Sequence, residues 1–213
     1  MKLSLVIPVH NLEDYIEPLL VSLKYQSFPH EYIELIFICD CCEDRTHEII
    51  ENTLRESYIH LIILDVNYHS SGLARNDGLT VASGEYIWLL DGDDWLIDNH
   101  AIEKVIYCLE QRPDDNVLHV GWLSNTYAIK DYPFTVWQWV WRAKWAKAVE
   151  FSSQKYDDDV KWVKDMVDAH KITSYPTLND PLYFYNYMRE GSVICERIME
   201  KLANNAKNKD DSK

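Results

Sequence analysis

The sequence predicts an α/β fold, a single domain on a mainly parallel central sheet flanked by helices, and three observations lead there. Strand-like and helix-like patterns alternate through the first half of the chain. The strands LSLVIPV, IELIFIC, IHLIILD and EYIWLLD are near-continuous apolar runs, as strands covered on both faces require. Asp40, Asp65 and Asp91 stand at the carboxyl ends of three of these runs, where such sheets bind their ligands.

Element by element, Leu3–Val9 reads as the first strand, ending near Pro8. Asn11 can cap a helix through Tyr25 with Leu12, Ile16, Leu19, Leu20 and Leu23 on one face, although Pro18 falls inside it. Ile33–Cys39 is a second buried strand, Thr46–Ser57 a helix and Ile59–Asp65 a third strand. Gly72–Ser83 reads as a helix closed by Gly84, followed by the strand Glu85–Asp91. His100–Gln111 is helical by period, Val117–Leu123 strand-like, and Asn125–Phe134 reads as a loop. Trp137, Trp139, Trp141 and Trp145 then crowd into nine residues, half of the chain's eight tryptophans. They suit packing in a core or a homodimer interface, or a platform for the apolar face of a sugar ring. Asp158–Lys171 is helical, with Val160, Val163, Val167 and His170 on one stripe, His170 as a core-edge residue. Leu182–Tyr187 reads as a strand, Ser192–Ala203 as a closing helix capped by Ser192, and residues 204–213 as a fraying polar tail.

Composition narrows the function classes. The 213 residues carry 35 acidic against 21 basic side chains, a formal net charge of −14, which excludes a general nucleic-acid binder or an electrostatic membrane-surface binder. Six scattered glycines form no GxGxxG and no GxxxxGK[ST], so neither a dinucleotide fingerprint nor a P-loop is present. The spacing of the five cysteines (Cys39, Cys41, Cys42, Cys108, Cys195) is not read as a zinc array, and reduced thiols in a cytoplasmic protein are expected. No apolar run approaches the ~20 residues of a membrane span. Met1 leads directly into the first strand, which is too short and too alternating for a signal peptide.

The carboxylates are the informative feature. Asp91-Gly92-Asp93-Asp94-Trp95 follows the apolar run Ile87–Leu90. Acids bunched at a strand end repel one another unless a cation or protonation relieves them, and hard oxygen ligands suit Mg²⁺ or Mn²⁺ bridging to a diphosphate. DGD is also an ordinary surface turn. Asp157-Asp158-Asp159 precedes the Val160 helix, where such residues cap the helix and favour its dipole, or supply a general base.

At these residues the chain resembles family 2 glycosyltransferases, the large inverting group with the GT-A fold. Leu3–Asn11 (LSLVIPVHN) is similar to the family's opening VIPxYN, and Ser22–Phe28 (SLKYQSF) to its SLxxQTY. Glu34–Thr46 (ELIFICDCCEDRT) resembles EIIVVDDGSTDGT, with Cys39 for the first aspartate and Asp40 and Asp44 retained. Ser70–Leu96 (SSGLARNDGLTVASGEYIWLLDGDDWL) resembles GxxxARNxGLxxAxGEYIxFLDxDDW, and this ordered string is the specific one. Trp139–Phe151, Tyr156–Trp162 (YDDDVKW, like GEDVxF) and Pro181–Val193 extend the likeness, while Val117–Pro133 and the last dozen residues lack a match.

The resemblance implies a GT-A-like domain over residues 1–203, with a nucleotide-sugar half at 1–98 and an acceptor-side helix and strand segment at 99–203. It implies transfer of a sugar, with inversion, from a nucleotide-diphosphate sugar, usually a UDP-sugar, to a carbohydrate or other hydroxyl acceptor. Pro8 and Val9 would shape the base pocket, Asp40 would contact the base, and Arg75 would help hold the nucleotide. Asp91 would lie by the ribose and the metal site, Asp93 would be the main ligand of Mn²⁺ or Mg²⁺, and Asp159 would be the catalytic base. Trp95 is a candidate wall of the site, and Arg189 lies in a segment that could fold over the diphosphate. The short interval from Trp95 to Trp139 suits a small acceptor or a site completed by a partner. A sugar nucleotidyltransferase and an inactive binding module of the same fold remain the alternatives.

Overall fold

Leu3–Val9 (β1) is buried along almost its whole length, so its side chains fill both faces of the sheet and specify a central position. The computed structural model describes residues 1–58, 60–125, 134–154, 157–187, 189–192 and 197. The first helix, α1, runs over Glu17–Lys24, not from Asn11. Asn11 sits at φ 48°, and Leu12 N–H is taken by Thr46 Oγ1 at 2.7 Å, so residues 12–16 form a turn. Pro18 lies in the first turn of the helix, where its missing N–H costs nothing, and therefore marks a start and not a break.

Strand β2 (Ile33–Asp40) is buried throughout, α2 (Thr46–Leu54) ends three residues before Ser57, and β3 is His60–Val66. Helix α3 (Ser71–Val81) opens on Ser70, whose side chain accepts from Leu73 N–H. Strand β4 is Tyr86–Leu89, so Leu90 and Asp91 lie beyond the ladder. Two residues, Trp95–Leu96, form β5; α4 (Ala101–Glu110) and β6 (Val117–Ser124) follow.

The tryptophan cluster, given no element by its sequence pattern, is a short 3₁₀ turn (Val136–Gln138) leading into strand β7 (Trp139–Arg142) and α5 (Ala143–Ala146). Trp137, Trp139 and Trp141 are fully buried, and Trp145 stacks on His170 with ring centroids 4.0 Å apart. In α6 (Asp158–His170) the buried positions are Asp158, Trp162, Val163 and Met166, so the packed face is rotated from the valine stripe. Strand β8 (Thr177–Tyr185) starts five residues before Leu182. Most of the expected Ser192–Ala203 helix, the Asn125–Phe134 loop and all of the polar tail lie outside the described residues.

Among the described residues eight strands form one sheet in the order β3-β2-β1-β4-β7-β6-β8-β5. Strands β3, β2, β1 and β4 are parallel, β7 is antiparallel to both β4 and β6, β8 runs parallel to β6, and β5 antiparallel to β8. The sheet is thus mixed, its parallel half carrying the strand ends at Val9, Asp40 and Asp91. No helix among the described residues is long and apolar enough to cross a membrane.

Candidate active site

Arg75 is where the two ends of the fold are tied together. It projects from α3 with 6% of its side chain exposed, donating from Nη2 to Asp91 Oδ1 at 2.7 Å and from Nη1 to Asp158 Oδ2 at 3.1 Å. A buried guanidinium needs such partners to remain charged, and these two carboxylates come from the end of β4 and the start of α6. Ser71 Oγ also donates to Asp158 Oδ2, at 3.1 Å. The approach is close enough to require a glycine: a Cβ on Gly72 would stand 2.4 Å from the Ser152 carbonyl oxygen and 2.9 Å from Asp158 Oδ2.

For Asp159, the next residue, the cation acting on the carboxyl among the described residues is Arg75. Burial pushes its carboxyl up to about 7, Asp158 and Asp91 add to the rise, and Arg75 opposes it. The acidic triplet therefore has three different fates. Asp157 occupies the N-cap position at φ 58° without capping the helix through its side chain, and pairs with Arg197 at 2.7 Å. Asp158 holds Arg75, and Asp159 faces the carboxylates at a pKa suited to proton transfer.

The Asp91–Asp94 loop is set by contacts from β8. Asp91 N–H donates to the Tyr183 hydroxyl at 3.1 Å, and that hydroxyl donates to Asp94 Oδ2 at 2.6 Å. Asn186 N–H donates to the other Asp94 oxygen at 2.8 Å. Burial, with Asp93 and Asp91 nearby, raises the Asp94 carboxyl well above the ordinary range. Gly92 lets the loop lie flat on β1, since a Cβ there would come within 2.6 Å of both Val9 Cγ1 and Leu12 Cδ1. Asp93 accepts from Arg189 Nε at 2.5 Å, and the same guanidinium lies 4.8 Å from the Tyr15 ring centroid. Burial raises the Asp93 carboxyl while Arg189 opposes the shift.

On the other side of β1, Asp40 is buried and accepts backbone N–H bonds from Tyr68 (2.6 Å), His69 (3.0 Å) and Ser70 (2.7 Å). Burial works against its charge, but these amides outweigh it and hold the carboxyl below its usual value. Asp40 thus first organises the loop before α3. Pro8 is half-buried, Val9 is buried, and His10 Nδ1 lies 2.6 Å from the Asp40 carbonyl oxygen. Asp44 accepts from Glu13 and Thr46 N–H and fixes the facing turn. Trp95 is half-buried, its ring stacked on Phe184 at 4.2 Å, so one face is already committed to packing.

The structure brings Arg75, Asp91 and Asp159 together and places Asp93 two residues beyond Asp91. Asp40, Pro8 and Val9 cluster at the neighbouring strand ends. Sequence reasoning missed the part played by Asp94, Tyr183 and Asp158, because the Asp94–Tyr183 bond spans 89 residues and leaves no local signal. It also passed over Cys39 and Cys42, separated by two residues in C-D-C-C, a spacing that is legible in the sequence.

As a donor set, Asp91 and Asp93 offer only hard carboxylate oxygens, and each now lends one to an arginine. Five carboxyls (Asp91, Asp93, Asp94, Asp158, Asp159) gather around two guanidiniums, and burial first, with repulsion from neighbouring carboxylates adding to it, raises Asp93, Asp94 and Asp159. That chemistry fits a divalent Mg²⁺ or Mn²⁺ ion.

A mixed sheet whose parallel strand ends carry paired carboxylates is the architecture of a sugar-nucleotide-dependent transferase fold, and the comparisons agree. Residues 4–152 match the model of glycosyl transferase family 2, and the chain belongs to that family. A poly(ribitol-phosphate) beta-glucosyltransferase of Bacillus spizizenii is 39% identical over 116 residues, 54% of this chain and 18% of that protein. Crystalline TarS 1-349 of S. aureus with UDP-GlcNAc superposes with a TM-score of 0.82 at 23% identity, over 92% of this chain and 61% of that one. The mannosyltransferase PcManGT of Pyrobaculum calidifontis, in complex with GDP-Man and Mn²⁺, gives a TM-score of 0.71 at 14% identity, over 89% and 58%. These superpositions establish the GT-A fold. The chain spans about a fifth of the Bacillus relative and three fifths of the TarS fragment.

Proposed function

We propose that the chain transfers a sugar, with inversion, from a nucleotide-diphosphate sugar to an acceptor hydroxyl in glycan or polysaccharide synthesis. The observation that supports this most is Asp159, a buried carboxyl pushed up to about 7 that lies in the electrostatic reach of Arg75, Asp158 and Asp91. A general base works best when its pKa lies near the operating pH, and an inverting displacement needs one base and no enzyme nucleophile. Asp159 takes the proton from the acceptor hydroxyl as that oxygen attacks the anomeric carbon. The nucleotide diphosphate leaves from the opposite face. Arg75 keeps Asp91 and Asp158 in register and holds Asp159 partly ionised.

Asp93 and Asp91 would hold Mn²⁺ or Mg²⁺, which when bound offsets the charge developing on the diphosphate. Residues 1–98 form the donor side in this reading and residues 99–203 the acceptor side, with Pro8, Val9 and Asp40 around the base and Trp95 at the wall. UDP is favoured over other nucleotides by the TarS complex with UDP-GlcNAc, while the GDP-Man complex of PcManGT makes GDP the competitor.

Calorimetry with UDP, GDP, CDP and ADP, each with and without Mn²⁺, tests the proposal. UDP should bind best, only with metal, and Asp93→Ala should abolish the metal dependence. Binding by none of the four, or binding indifferent to both metal and Asp93→Ala, would overturn it.

A further inference from the structure

A second constellation lies on the α2 side of the parallel strands, and the transfer reaction uses none of it. Cys39 is the penultimate residue of β2 and is buried; Asp65 is its direct partner across the parallel ladder to β3. His47, in the first turn of α2, reaches Asp65 Oδ1 with Nδ1 at 2.9 Å. The ligand-capable atoms of Cys39, His47 and Asp65 all lie within 4.8 Å of one another. Cys42, in the loop between β2 and α2, has its thiol near that of Cys39, and the two interact electrostatically. Cys42 Sγ also lies 3.5 Å from the Val9 carbonyl oxygen.

We propose that Cys39, Cys42, His47 and Asp65 form a tetrahedral zinc site, separate from the carboxylate site at Asp91 and Asp93. Donor chemistry separates the two ions. Two thiolates, an imidazole and a carboxylate select Zn²⁺, whereas carboxylates alone select Mg²⁺ or Mn²⁺. The geometry is close to what an ion needs. Nitrogen and oxygen ligands about 2.0–2.1 Å from one tetrahedral zinc stand about 3.4 Å apart, and two thiolates at about 2.3 Å stand about 3.8 Å apart. The Cys39, His47 and Asp65 atoms thus lie within reach of one ion, and Cys42 would turn in from the Val9 carbonyl as the fourth ligand. The chain spacing, C-x₂-C followed by a histidine five residues later, supplies three ligands from the end of β2, the loop after it and the first turn of α2, and the neighbouring strand supplies the fourth. Side chains of Asp65 and His47 are 68% and 37% exposed, which gives the ion a path from solvent. Binding would release the two thiol protons to solvent as the thiolates coordinate. A bound ion would pin edge strand β3 and the start of α2 to the loop that follows Asp40, bracing the base side of the donor site.

The test uses the whole chain, reduced with a phosphine, stripped with a chelator and titrated with Co²⁺. One equivalent should produce a near-ultraviolet sulfur-to-cobalt charge-transfer band with intense tetrahedral visible absorption, and Zn²⁺ should displace it. Cys42→Ser and His47→Ala, both only partly buried, should each weaken cobalt binding about tenfold or more. Asp93→Ala should leave the band intact, because an oxygen-only site has no sulfur band; failure of the transferase reading is thereby distinguishable from failure of this one. Absence of the sulfur band in the unsubstituted chain, or its survival unchanged in both Cys42→Ser and His47→Ala, would overturn the zinc site.

Discussion

The two halves of the sheet are built from different side chains. Strands β3, β2, β1 and β4 are parallel, and their buried residues are chiefly Leu, Ile and Val. Strands β7, β6 and β8, with the segments leading into them, bury Trp137, Trp139, Trp141 and Tyr183, and α6 adds Trp162. Aliphatic side chains carry no polar atoms, so the parallel half is fixed by ladder register and packing. The aromatic half adds polar handles, some of them paired: Trp162 Nε1 donates to the Val149 carbonyl at 2.8 Å and Tyr183 bonds Asp91 and Asp94, whereas Trp139 and Trp141 Nε1 are buried without a partner among the described residues. The Trp137 carbonyl accepts from Trp88 Nε1 at 2.7 Å, joining the halves across β4. One half is a shelf that ends in carboxylates, and the other clamps them and brings Asp159 across.

This division is broken most sharply at Asp159. If donor binding belongs to the parallel half, Asp159→Asn should retain nucleotide affinity and lose transfer by about 10²–10⁴-fold. The pH profile gives an independent reading. A carboxyl raised to about 7 is protonated, and useless as a base, below that pH, so kcat/KM should rise with pH through about 7 and then level. The stability effect has the opposite sign. The folded chain binds the Asp159 proton more tightly than the unfolded one, so this group's contribution to stability declines as pH rises from the ordinary carboxyl range to about 7. Asp159→Asn should therefore melt at a higher temperature than the unsubstituted chain at pH 8. Equal transfer by the two proteins would remove Asp159 from the reaction.

Next in size is a packing contrast. Trp137 stacks on Tyr183 at 4.8 Å and on Tyr185 at 5.2 Å, so Trp137→Ala should cost about 3–5 kcal/mol by denaturant unfolding. Ile36→Val on buried β2 should cost only about 0.5–1.5 kcal/mol. Both variants should unfold in a single transition, since one sheet carries both halves. A separate early transition for Trp137→Ala would show that the aromatic half unfolds independently.

How much could be read in advance follows the same line. Leu3–Val9 and the apolar run before Asp40 were legible because a strand buried on both faces needs an unbroken apolar run, whereas the similar run before Asp65 is the partly exposed edge strand β3. The Ser70–Leu96 string exposed the site's parallel side for the same reason, being local. Strand β7 was not legible, because tryptophans at this density serve core, interface or ligand equally until their neighbours are known. Pro18 misled because its meaning depends on whether a helix starts or continues there. Asp158 and Tyr183 were hidden because their partners, Arg75 and Asp94, are 83 and 89 residues away.

Tyr183 tests the clamp itself. Tyr183→Phe leaves the ring stack in place but removes the acceptor of Asp91 N–H and the donor to buried Asp94. Unpairing buried polar groups costs about 1–3 kcal/mol, which corresponds to a melting shift of about 3–9 °C in a chain of this size. If the clamp also sets the metal site, Mn²⁺-dependent UDP binding should weaken alongside. A stability loss with unchanged nucleotide affinity would restrict Tyr183 to the fold.

The smallest expected effect, and the most specific in sign, is at Arg189. Its Nε holds Asp93 at 2.5 Å while its guanidinium rests against Tyr15, so the pair is partly buried and occupies the carboxylate assigned to the metal. A metal ion arriving without nucleotide has to displace Arg189, whereas a metal–nucleotide complex brings phosphate oxygens that can receive it. Arg189→Gln should accordingly strengthen binding of Mn²⁺ alone and weaken binding of the Mn²⁺–UDP complex, each by about three- to tenfold. A single affinity falling or rising in both experiments would reduce Arg189 to a general electrostatic contributor. Opposite signs would show one arginine exchanging between a carboxylate of the parallel half and the diphosphate laid across it.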